Sequence, residues 1–532
     1  MEQPIFWSDQ IAFGVSKKFE ERETHTCAAG VSPSGLVHGG HLREVLTVDF
    51  VVKSLESRGE DSRFIYSWDD YDRFRKVPDN VPDEFEEYIG LPLSKVPDPW
   101  ECHDSYAEHF EKKFEESVED LHLDIEFIRQ SEMFENSEYA DLIKKAMNNR
   151  EEIKEILDRY REEPLEENWM PLRVYCRECE KDFTEILDYN GQYGVKYRCN
   201  NCGNEEKINF KKNDSVKPPW RVDWPMRWFY EQVSFEPGGK EHSVEGGSRT
   251  TGKEIVKEIY GEEPPVYQMY DFVTTSSGKK ISSSSGENIF TVDDLKEIYT
   301  PEMIRFLFTE TKPNKEFVIP FKENVIQRYS KFDRIEDVYF NPEKEEDEKN
   351  REHLKRVYEL AMVDIPDEQP ERPPFDHLSL LTQTRSRDEW DESCIESLKK
   401  TGHISENLSE EQKDLILERM EKAFKWARKY APEKYVYELH DEIPEEVKNS
   451  ISEEERDAML KIAEILREKE FEDSSELDTE LFDVKDESEV STGEFFTAAY
   501  RCLLDREKGP RLSNFIMGVG EDRVASILES LE

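Results

Sequence analysis

The chain has 532 residues, enough for three or four domains of ordinary size, and no apolar run in it is long enough to span a membrane. Its 122 acidic and 73 basic residues give a formal net charge of −49, and the acids are spread along the chain. This balance normally argues against a nucleic-acid partner. Because molar salt shortens the screening length to about 3 Å, we interpret the acidity as adaptation to a salt-rich cytosol. The first residues lack a basic region before an apolar core, which predicts a cytoplasmic protein.

After an acidic lead-in helix over residues 1–25, the chain shows a strand, a glycine-rich turn, a helix and a second strand. Residues 26–29 are small and apolar, as in a buried parallel strand, and apolar residues then recur at three- and four-residue steps over 42–55. Residues 63–68 read as the second strand. Strand, helix and strand make a right-handed βαβ unit, so the turn over 30–41 is a candidate nucleotide site.

Two histidines in this turn indicate the kind of ligand. His38 and His41 flank Gly39 and Gly40 at the start of the helix, where free N–H groups already favour a phosphate. The glycines have no side chains that would hold a ligand away from the backbone. The alternative is a pair of exposed histidines beside a flexible loop.

Three aspartates follow the second strand. Asp69, Asp70 and Asp72 lie just past its carboxyl end, where ligands of α/β proteins bind, so one or more of them could face a cationic substrate. Helix capping and salt bridges to Arg73 and Arg75 are the structural alternative.

A charged, helical stretch from about 106 to 163 leads to two CxxC pairs. Two such pairs, nineteen residues apart, can hold zinc with four thiolates and leave no open position, which predicts a structural metal in a β-rich knob over 183–210. The predicted ligands are Cys176, Cys179, Cys199 and Cys202. The scattered remaining cysteines are expected to be buried thiols: Cys27, Cys102, Cys394 and Cys502.

Further along, residues 238–242 and a helix over 252–260 suit another ligand loop that leads into a helix N-terminus. A strand-like segment over 270–275 precedes the loop 278–286, where a lysine pair and four serines could close over a triphosphate. A Gly/Ser linker is the alternative for that loop.

From about residue 290 the chain reads as helical, with a charge run over 341–349 that suggests a hinge or a solvated helix. The segment 422–430 carries four cations among three aromatics, including Trp426, and is a candidate nucleic-acid contact. Aromatics at helical spacing also form cores, and that alternative stays open.

The segment His38-Gly39-Gly40-His41 resembles the HIGH motif of class I aminoacyl-tRNA synthetases, and residues 280–284 resemble their KMSKS loop. Longer stretches resemble the class I lysyl-tRNA synthetases: 30–38, 67–78, 96–110, 220–228 and 508–515. The resemblance implies an α/β fold, with a Rossmann catalytic domain that carries a zinc-binding insertion and is followed by an all-α anticodon-binding domain.

The implied domains are a first Rossmann half at 1–100, a helical and zinc-ribbon insertion at 101–218, a second half with the KMSKS-like loop at 219–290, a helical connector at 291–350 and an α-helical anticodon-binding domain at 351–532. The implied activity joins L-lysine to tRNA(Lys) through lysyl-adenylate, with ATP and Mg²⁺ and a structural Zn²⁺, in a monomer without membrane contact. Two alternatives remain: a class I synthetase for glutamate, and a non-catalytic zinc-ribbon RNA-binding protein.

The resemblance also implies roles for individual residues. The implied catalytic residues are His38, His41, Lys280 and Ser282. The implied ATP-binding residues are His38, Gly40, His41, Lys240, Lys280, Ile281, Ser282 and Ser284. The expected lysine pocket combines Asp70, from its place after the strand, with the residues that the resemblance assigns: Gly30, Ser32, Trp220, His242 and Tyr270.

Overall fold

A computed structural model describes residues 4–212, 215–271, 273–275, 290–362 and 364–532. The chain divides into two compact units. The first comprises Met1–Leu295, Ile304–Ile319 and Glu359–Val363, and the second comprises Lys296–Met303, Pro320–Tyr358 and Asp364–Glu532. None of the described helices is both long and apolar enough to cross a membrane.

The strands are β1 Thr24–Val31, β2 Asp61–Trp68, β3 Glu126–Arg129, β4 Arg173–Val174, β5 Thr184–Tyr189, β6 Gly194–Cys199, β7 Glu205–Asn209, β8 Val216–Lys217, β9 Val233–Gly239, β10 Val266–Tyr270, β11 Val273–Thr275 and β12 Phe317–Ile319. The helices up to residue 340 are α1 Trp7–Lys18, α2 Leu42–Glu56, α3 Tyr106–Glu119, α4 Gln130–Glu135, α5 Ala140–Asn148, α6 Arg150–Asp158, α7 Trp220–Tyr230, α8 Ser248–Ile255, α9 Val292–Ile298, α10 Pro301–Glu310 and α11 Asn324–Phe340. The later helices are α12 Glu348–Ala361, α13 Phe375–Thr384, α14 Ile395–Lys400, α15 Glu410–Lys429, α16 Glu445–Lys448, α17 Glu453–Glu468, α18 Ser474–Glu487, α19 Thr492–Leu504, α20 Leu512–Val519 and α21 Glu521–Glu529.

Five parallel strands form the central sheet in the order β10-β9-β1-β2-β3. The middle strand, β1, buries Cys27, Ala28 and Ala29, and α2 connects it to β2. The predicted strand, turn, helix and strand are thus confirmed. Because β2 and β3 lie on one side of β1 and β9 and β10 on the other, a crevice opens between the carboxyl ends of β1 and β9.

The first half of this sheet extends further along the chain than the sequence predicted. β3 pairs with β2 over Ile65–Trp68, and α3 crosses between the two strands. The stretch 101–218, expected to be an insertion, therefore contains part of the Rossmann sheet. β3 has only four residues, none of them fully buried, so its apolar pattern is too short to stand out in a charged stretch.

The knob predicted over 183–210 is an antiparallel sheet of β5, β6 and β7. A short antiparallel pair, β4 with β8, joins the chain that enters the knob to the chain that leaves it. The predicted strand over 270–275 is divided, because β10 belongs to the central sheet while β11 pairs with β12. The predicted helix over 252–260 is α8 and a π-helical turn that continues it.

In the second unit, every helix or strand that the structure describes between residues 364 and 532 is a helix, as predicted. Its C-terminal core includes fully buried side chains from four helices, among them Met459, Leu477, Phe495 and Phe515. The expected boundary at residue 350 lies inside α12, so the connector and the helical domain are continuous there.

The tryptophan of the candidate tRNA segment belongs to this unit's core. Trp426 is fully buried in α15 and donates its indole N–H to the carbonyl of Phe321 at 3.1 Å. Lys425 is paired with Glu421 on the same helix. The prediction that Trp426 stacks on a tRNA base is therefore wrong, and the core alternative is confirmed.

Arg305 provides a test of the first unit's packing. It is fully buried and donates to the Asp49 carboxylate at 2.6 Å and to the carbonyls of Leu121 and Leu360. We expect Arg305→Met to lower the free energy of unfolding of this unit by about 3–5 kcal/mol, because it leaves a buried carboxylate unpaired. Urea denaturation followed by tryptophan fluorescence measures this.

The double variant Asp49→Asn/Arg305→Met should recover part of the loss, because no charge is then left unpaired. Arg150→Ala, at a half-exposed position, is the control and should change stability by less than about 0.5 kcal/mol. Equal stability of Arg305→Met and Arg150→Ala would contradict the assignment.

Candidate active site

The turn between β1 and α2 ends in a 3-10 turn, Gly39–His41, whose N-cap is His38. The backbone N–H of Gly40 donates to Nδ1 of His38 at 3.1 Å, and Nδ1 of His41 lies 3.2 Å from the backbone nitrogen of His38. The two imidazole rings are 4.2 Å apart between centroids. The structure thus brings both predicted histidines together at the N-terminal end of α2, where N–H groups favour a phosphate.

The two rings can both offer N–H groups to a ligand. Because Nδ1 of His38 accepts a hydrogen bond, the neutral form of this ring carries its proton on Nε2. Burial lowers the pKa of His41, and the hydrogen bond to the His38 backbone offsets only part of that effect. His41 is therefore a neutral imidazole at neutral pH.

The glycines between the histidines are required by close neighbours. A Cβ on Gly39 would lie 2.0 Å from the Phe290 ring, and one on Gly40 would lie 2.8 Å from the His38 ring. The N–H of Gly39 also donates to the Phe290 carbonyl at 2.8 Å. Close packing against the Phe290 and His38 rings is thus a second reason for glycine here, in addition to the access that glycine gives a ligand to the backbone.

A narrow cavity lies at the crevice between β1 and β9, and α7 forms one of its walls. Trp220, Trp224 and Trp228 are spaced by four residues, so they share one face of α7, and the first two rings stack at 5.0 Å. The cavity holds about 40 Å³, close to the volume of one water molecule. Its lining residues are Ala28, Ala29, Gly30, Ile65, Ser67, Asp69, Gln130, Trp220, Trp224, Arg227, Trp228, Glu231, Val233 and Glu236.

One partly buried carboxylate of this lining is bound by neutral donors. Glu236 accepts the indole N–H of Trp224 at 2.9 Å and the indole N–H of Trp228. Burial raises its pKa. No lysine or arginine within the described ranges lies at ion-pair distance from Glu236, so a bound cation would stabilise its charged form.

A second partly buried carboxylate lies behind the turn. Glu44 accepts the Tyr270 hydroxyl at 2.7 Å and the backbone N–H of Gly30 at 3.3 Å. Burial raises the pKa of Glu44 to about 8. Glu44 thus links two residues expected in the lysine pocket, and sequence reasoning missed it because it lies within the regular apolar pattern of α2.

The cation in the lining is neutralised by acids. Arg227 contacts Asp69 at 2.7 Å and Asp223 at 3.4 Å, and its guanidinium lies 5.2 Å from the centroid of the Trp220 ring. Two carboxylates thus balance one guanidinium. The cavity is therefore electrostatically suited to a cation rather than to a second carboxylate.

The four predicted metal-ligand cysteines come together in the knob. Their sulfur atoms all lie within 4.8 Å of one another, and two of the pairs are 3.6 Å apart. Four sulfurs placed 2.3 Å from a zinc ion are about 3.8 Å apart. The side-chain amides of Asn201 and Asn204 point N–H groups at two of the sulfurs, as around thiolates. The four residues are Cys176, Cys179, Cys199 and Cys202.

A second cluster was not found from the sequence. One ligand atom from each of its four residues lies within 4.8 Å of the other three, and the residues are Asp98, Cys102, His103 and His109. The sulfur of Cys102 is 3.1 Å from Nδ1 of His103 and 3.2 Å from Nδ1 of His109. One sulfur, two imidazoles and a carboxylate are ligands that zinc accepts. The sequence signal that could have revealed this cluster is the spacing D-x3-C-H-x5-H. The expectation that Cys102 is buried is wrong, since the residue is exposed.

The family model described as tRNA synthetases class I (K) matches residues 5–364. The chain belongs to this family. It is also similar over its whole length to three proteins named lysine–tRNA ligase. The protein of Pyrococcus furiosus is 42% identical, and the match covers 98% of each chain. The protein of Pyrococcus horikoshii is 41% identical over 96% of this chain and 97% of the relative. The protein of Borreliella burgdorferi is 38% identical over 98% of each chain.

Two other predicted residues of this synthetase, Lys240 and His242, lie in the 3-10 turn that follows β9. His242 lies beside the tryptophans, 5.6 Å from Trp224 between ring centroids, and its Nδ1 is 2.9 Å from the Ser248 hydroxyl. Lys240 is exposed, with its ammonium 3.6 Å from the Asp271 carboxylate. Residues of the KMSKS-like loop that carry predicted roles lie outside the described residues: Lys280, Ile281, Ser282 and Ser284.

Asp70 is not among the residues that line the cavity. Its carboxylate accepts the backbone N–H of Ser131 at 2.8 Å, at the start of α4, so it acts as a cap from outside that helix. Asp69 lines the cavity instead and contacts Arg227. Helix capping, the structural alternative given for Asp70, therefore accounts for this contact.

The expected salt bridges from these aspartates to Arg73 and Arg75 are wrong. Asp72 contacts the buried ammonium of Lys217 at 2.6 Å, and Arg73 contacts Asp182 at 3.3 Å. Both partners lie more than a hundred residues further along the chain, which is why local sequence did not reveal them.

Glu44 should give the synthetase a measurable pH dependence of stability. Its pKa is about 8 in the folded protein against an ordinary 4.5, so the unfolded chain loses this proton first as pH rises. Wild type should therefore lose stability relative to Glu44→Gln between pH 5 and 8, by at most about 1.4 kcal/mol per pH unit. Urea unfolding at both pH values measures the difference.

Glu258→Gln, at an exposed position, serves as the control and should show no such trend. A wild-type minus Glu44→Gln difference that is the same at pH 5 and pH 8 would show that Glu44 is already ionised in the free protein.

Proposed function

We propose that this synthetase condenses L-lysine with ATP to lysyl-adenylate and transfers the lysine to the 3′ end of tRNA(Lys). The observation that carries the proposal is the Glu236 carboxylate, which is partly buried, lines an indole-walled cavity at the crevice of the sheet and is bound by indole N–H groups. Full-length similarity to proteins named lysine–tRNA ligase supports the same substrate pair.

A lysine side chain suits this cavity. Its four-carbon stem lies along the stacked rings of Trp220 and Trp224, and its ammonium reaches the Glu236 carboxylate. Because the free cavity is about 40 Å³, lysine entry requires movement of Trp220, the partly exposed indole of the wall. Glutamate, the alternative substrate, would need an unpaired cation, and Arg227 is paired with Asp69 and Asp223.

The residues of the HIGH-like turn act on the phosphates. The lysine carboxylate attacks the α-phosphorus of ATP in line, and pyrophosphate leaves. His38 and His41 donate N–H groups to the phosphates as charge redistributes, and the Gly40 position lets them approach the backbone. Lys240 and the KMSKS-like residues Lys280, Ile281, Ser282 and Ser284 are assigned to the triphosphate by resemblance. Bound Mg²⁺ would neutralise part of the phosphate charge.

The cysteine cluster fits a structural zinc, with four thiolate ligands and side-chain amides directed at the sulfurs. The Asp98 cluster fits a second zinc ion, because its carboxylate, sulfur and two imidazoles are atoms that zinc accepts as ligands. A zinc ion in either site would cross-link the chain segments that carry its four ligands. All eight side chains belong to the first unit.

We keep three further expectations as part of the proposal. The enzyme works as a monomer, its anticodon contacts are made by the helical second unit, and it acts in a cytoplasm rich in salt. The salt-rich cytoplasm is inferred from the charge of −49. Because counterion release weakens phosphate contacts as salt rises, this enzyme must also use other contacts with its tRNA.

The decisive experiment is pyrophosphate exchange dependent on tRNA, screened over all amino acids in concentrated potassium chloride. We expect exchange with lysine in the presence of tRNA(Lys). Exchange with glutamate and not lysine would favour the glutamyl alternative, and absence of exchange with every amino acid would favour the non-catalytic one.

Glu236→Gln tests the ammonium contact. We expect kcat/KM for lysine to fall about 10- to 100-fold, because a hydrogen bond to a charged group is worth about 1.5–3 kcal/mol, while Gln keeps an acceptor for an indole. Use of norleucine, which lacks the ammonium, should fall much less. Glu254→Gln, a carboxylate that pairs with Arg159 and does not line the cavity, is the matched control. An equal loss for lysine and norleucine would place the ammonium elsewhere.

Metal analysis tests the two clusters. We expect wild type to hold about two zinc ions per chain, Cys179→Ser to lose one, and His109→Ala to lose the other. The lysine cavity is lined by none of the eight residues, so lysine affinity by calorimetry should survive both changes. A metal-free wild type, or one ion lost by both variants, would overturn the assignment of two sites.

A further inference from the structure

A second cavity lies at the same edge of the central sheet. It has a volume of about 330 Å³, which is in the range of ligand pockets, and it is enclosed by the loops that follow β1 and β2. Its polar lining comprises Ser32, Ser34, Asp72, Arg73, Arg75 and Lys76, with Phe74, Pro78 and Leu93. Ser32 was expected in the lysine pocket, but it lines this cavity, two residues after Gly30 of the first one.

The charge of the lining is positive. Asp72 is balanced by Lys217, which holds the Asp72 pKa below its usual value against the opposing effect of burial, and Arg73 is balanced by Asp182. Arg75 and Lys76 are exposed and take part in no ion pair with a residue that the structure describes. Arg75 acts electrostatically on Asp72 and Asp182, but these carboxylates are already paired with Lys217 and Arg73. In a chain with 122 acids and 73 bases, two adjacent cations that form no ion pair of their own with the described residues mark a place for an external anion.

The segment that carries these cations is held in place. Phe74 exchanges backbone hydrogen bonds with Leu91 and Gly90 at 2.8 and 3.0 Å, and Leu93 donates to the Asp72 carbonyl at 2.8 Å. The Phe74 ring is buried in a small apolar cluster with Leu93. Arg75 and Lys76 therefore project from a fixed base, so little order has to be gained when an anion binds.

We propose that this basic cavity holds the backbone phosphates of the 3′-terminal nucleotides of tRNA. The inference rests on the proposed function, in which the terminal ribose must meet the lysyl-adenylate at the carboxyl end of β1. A strand that passes Arg75 and Lys76 reaches Ser32 and Ser34 of the same cavity, and Ser32 is two residues from Gly30, which lines the first cavity. The hydroxyls of these serines add donors for a phosphate.

The test uses the double variant Arg75→Ser/Lys76→Ser and a control that removes the same charge, Lys253→Ser/Lys257→Ser, at exposed positions outside both cavities. Binding is measured by filter retention at several salt concentrations. Each protein is given tRNA(Lys) and the same tRNA without its last three nucleotides. We expect the double variant to lose at least about 10-fold in affinity for whole tRNA and less than about 2-fold for the truncated one.

The salt dependence adds a second readout. The slope of log affinity against log salt for whole tRNA should fall by about 1.4, the value for two phosphate contacts on a single strand. The control should match wild type for both tRNAs, and circular dichroism should show that all variants are folded. ATP affinity, measured by calorimetry, should be unchanged.

Several outcomes would overturn the proposal. A loss that is equal for whole and truncated tRNA would place the contact elsewhere on the tRNA, and a loss in ATP affinity would assign the cavity to the triphosphate. Wild type that does not distinguish the two tRNAs would show that the 3′ end is not held. Lysine exchange by wild type is measured separately, so failure of the proposed function would be recognised independently of these binding results.

Discussion

The active site depends on the position of β1 as the shared strand of two sheet halves. Its parallel neighbours β2 and β9 end at the same edge, so the loops that leave all three strands must meet there. The approach at this edge is close: a Cβ on Gly30 would lie 2.6 Å from the Ser67 carbonyl oxygen. A glycine at this position therefore lets β1 and β2 pair to their ends, and it leaves room on either side for the two cavities.

Charge is distributed at this edge in a way that separates a cation site from an anion site. Around the indole-walled cavity, Arg227 is balanced by two aspartates, while Glu236 accepts two indole N–H groups and forms no ion pair with a residue that the structure describes. Around the second cavity, Asp72 is balanced by Lys217 and the unpaired groups are cations. An acidic chain can thus attract an ammonium and a phosphate to neighbouring places, because it is the unpaired charge in each cavity, not the net charge of the protein, that a bound group meets at short range.

Sequence reasoning reached the features that are written in contiguous residues. The β1–α2–β2 unit and the four cysteines each follow from a short pattern with a fixed period or spacing. It did not reach the partners of Asp69, Asp70 and Asp72, which come from Arg227, Ser131 and Lys217, since pairing across the fold leaves no local trace. Trp426 shows the converse, because an aromatic among cations looks the same in sequence whether it faces solvent or, as here, the core.

An ion pair between Asp182 and Arg73 connects the knob with the active-site edge, and this gives the cysteine cluster a role beyond its own stability. Asp182 lies three residues after Cys179, donates its backbone N–H to the Gly90 carbonyl at 2.9 Å, and contacts Arg73 through its carboxylate. The Phe183 ring lies under the same guanidinium. Because Gly90 is also bonded to Phe74, the knob supports the base from which Arg75 and Lys76 project. A metal that fixes the knob would therefore act on the basic cavity through Asp182, without touching either substrate.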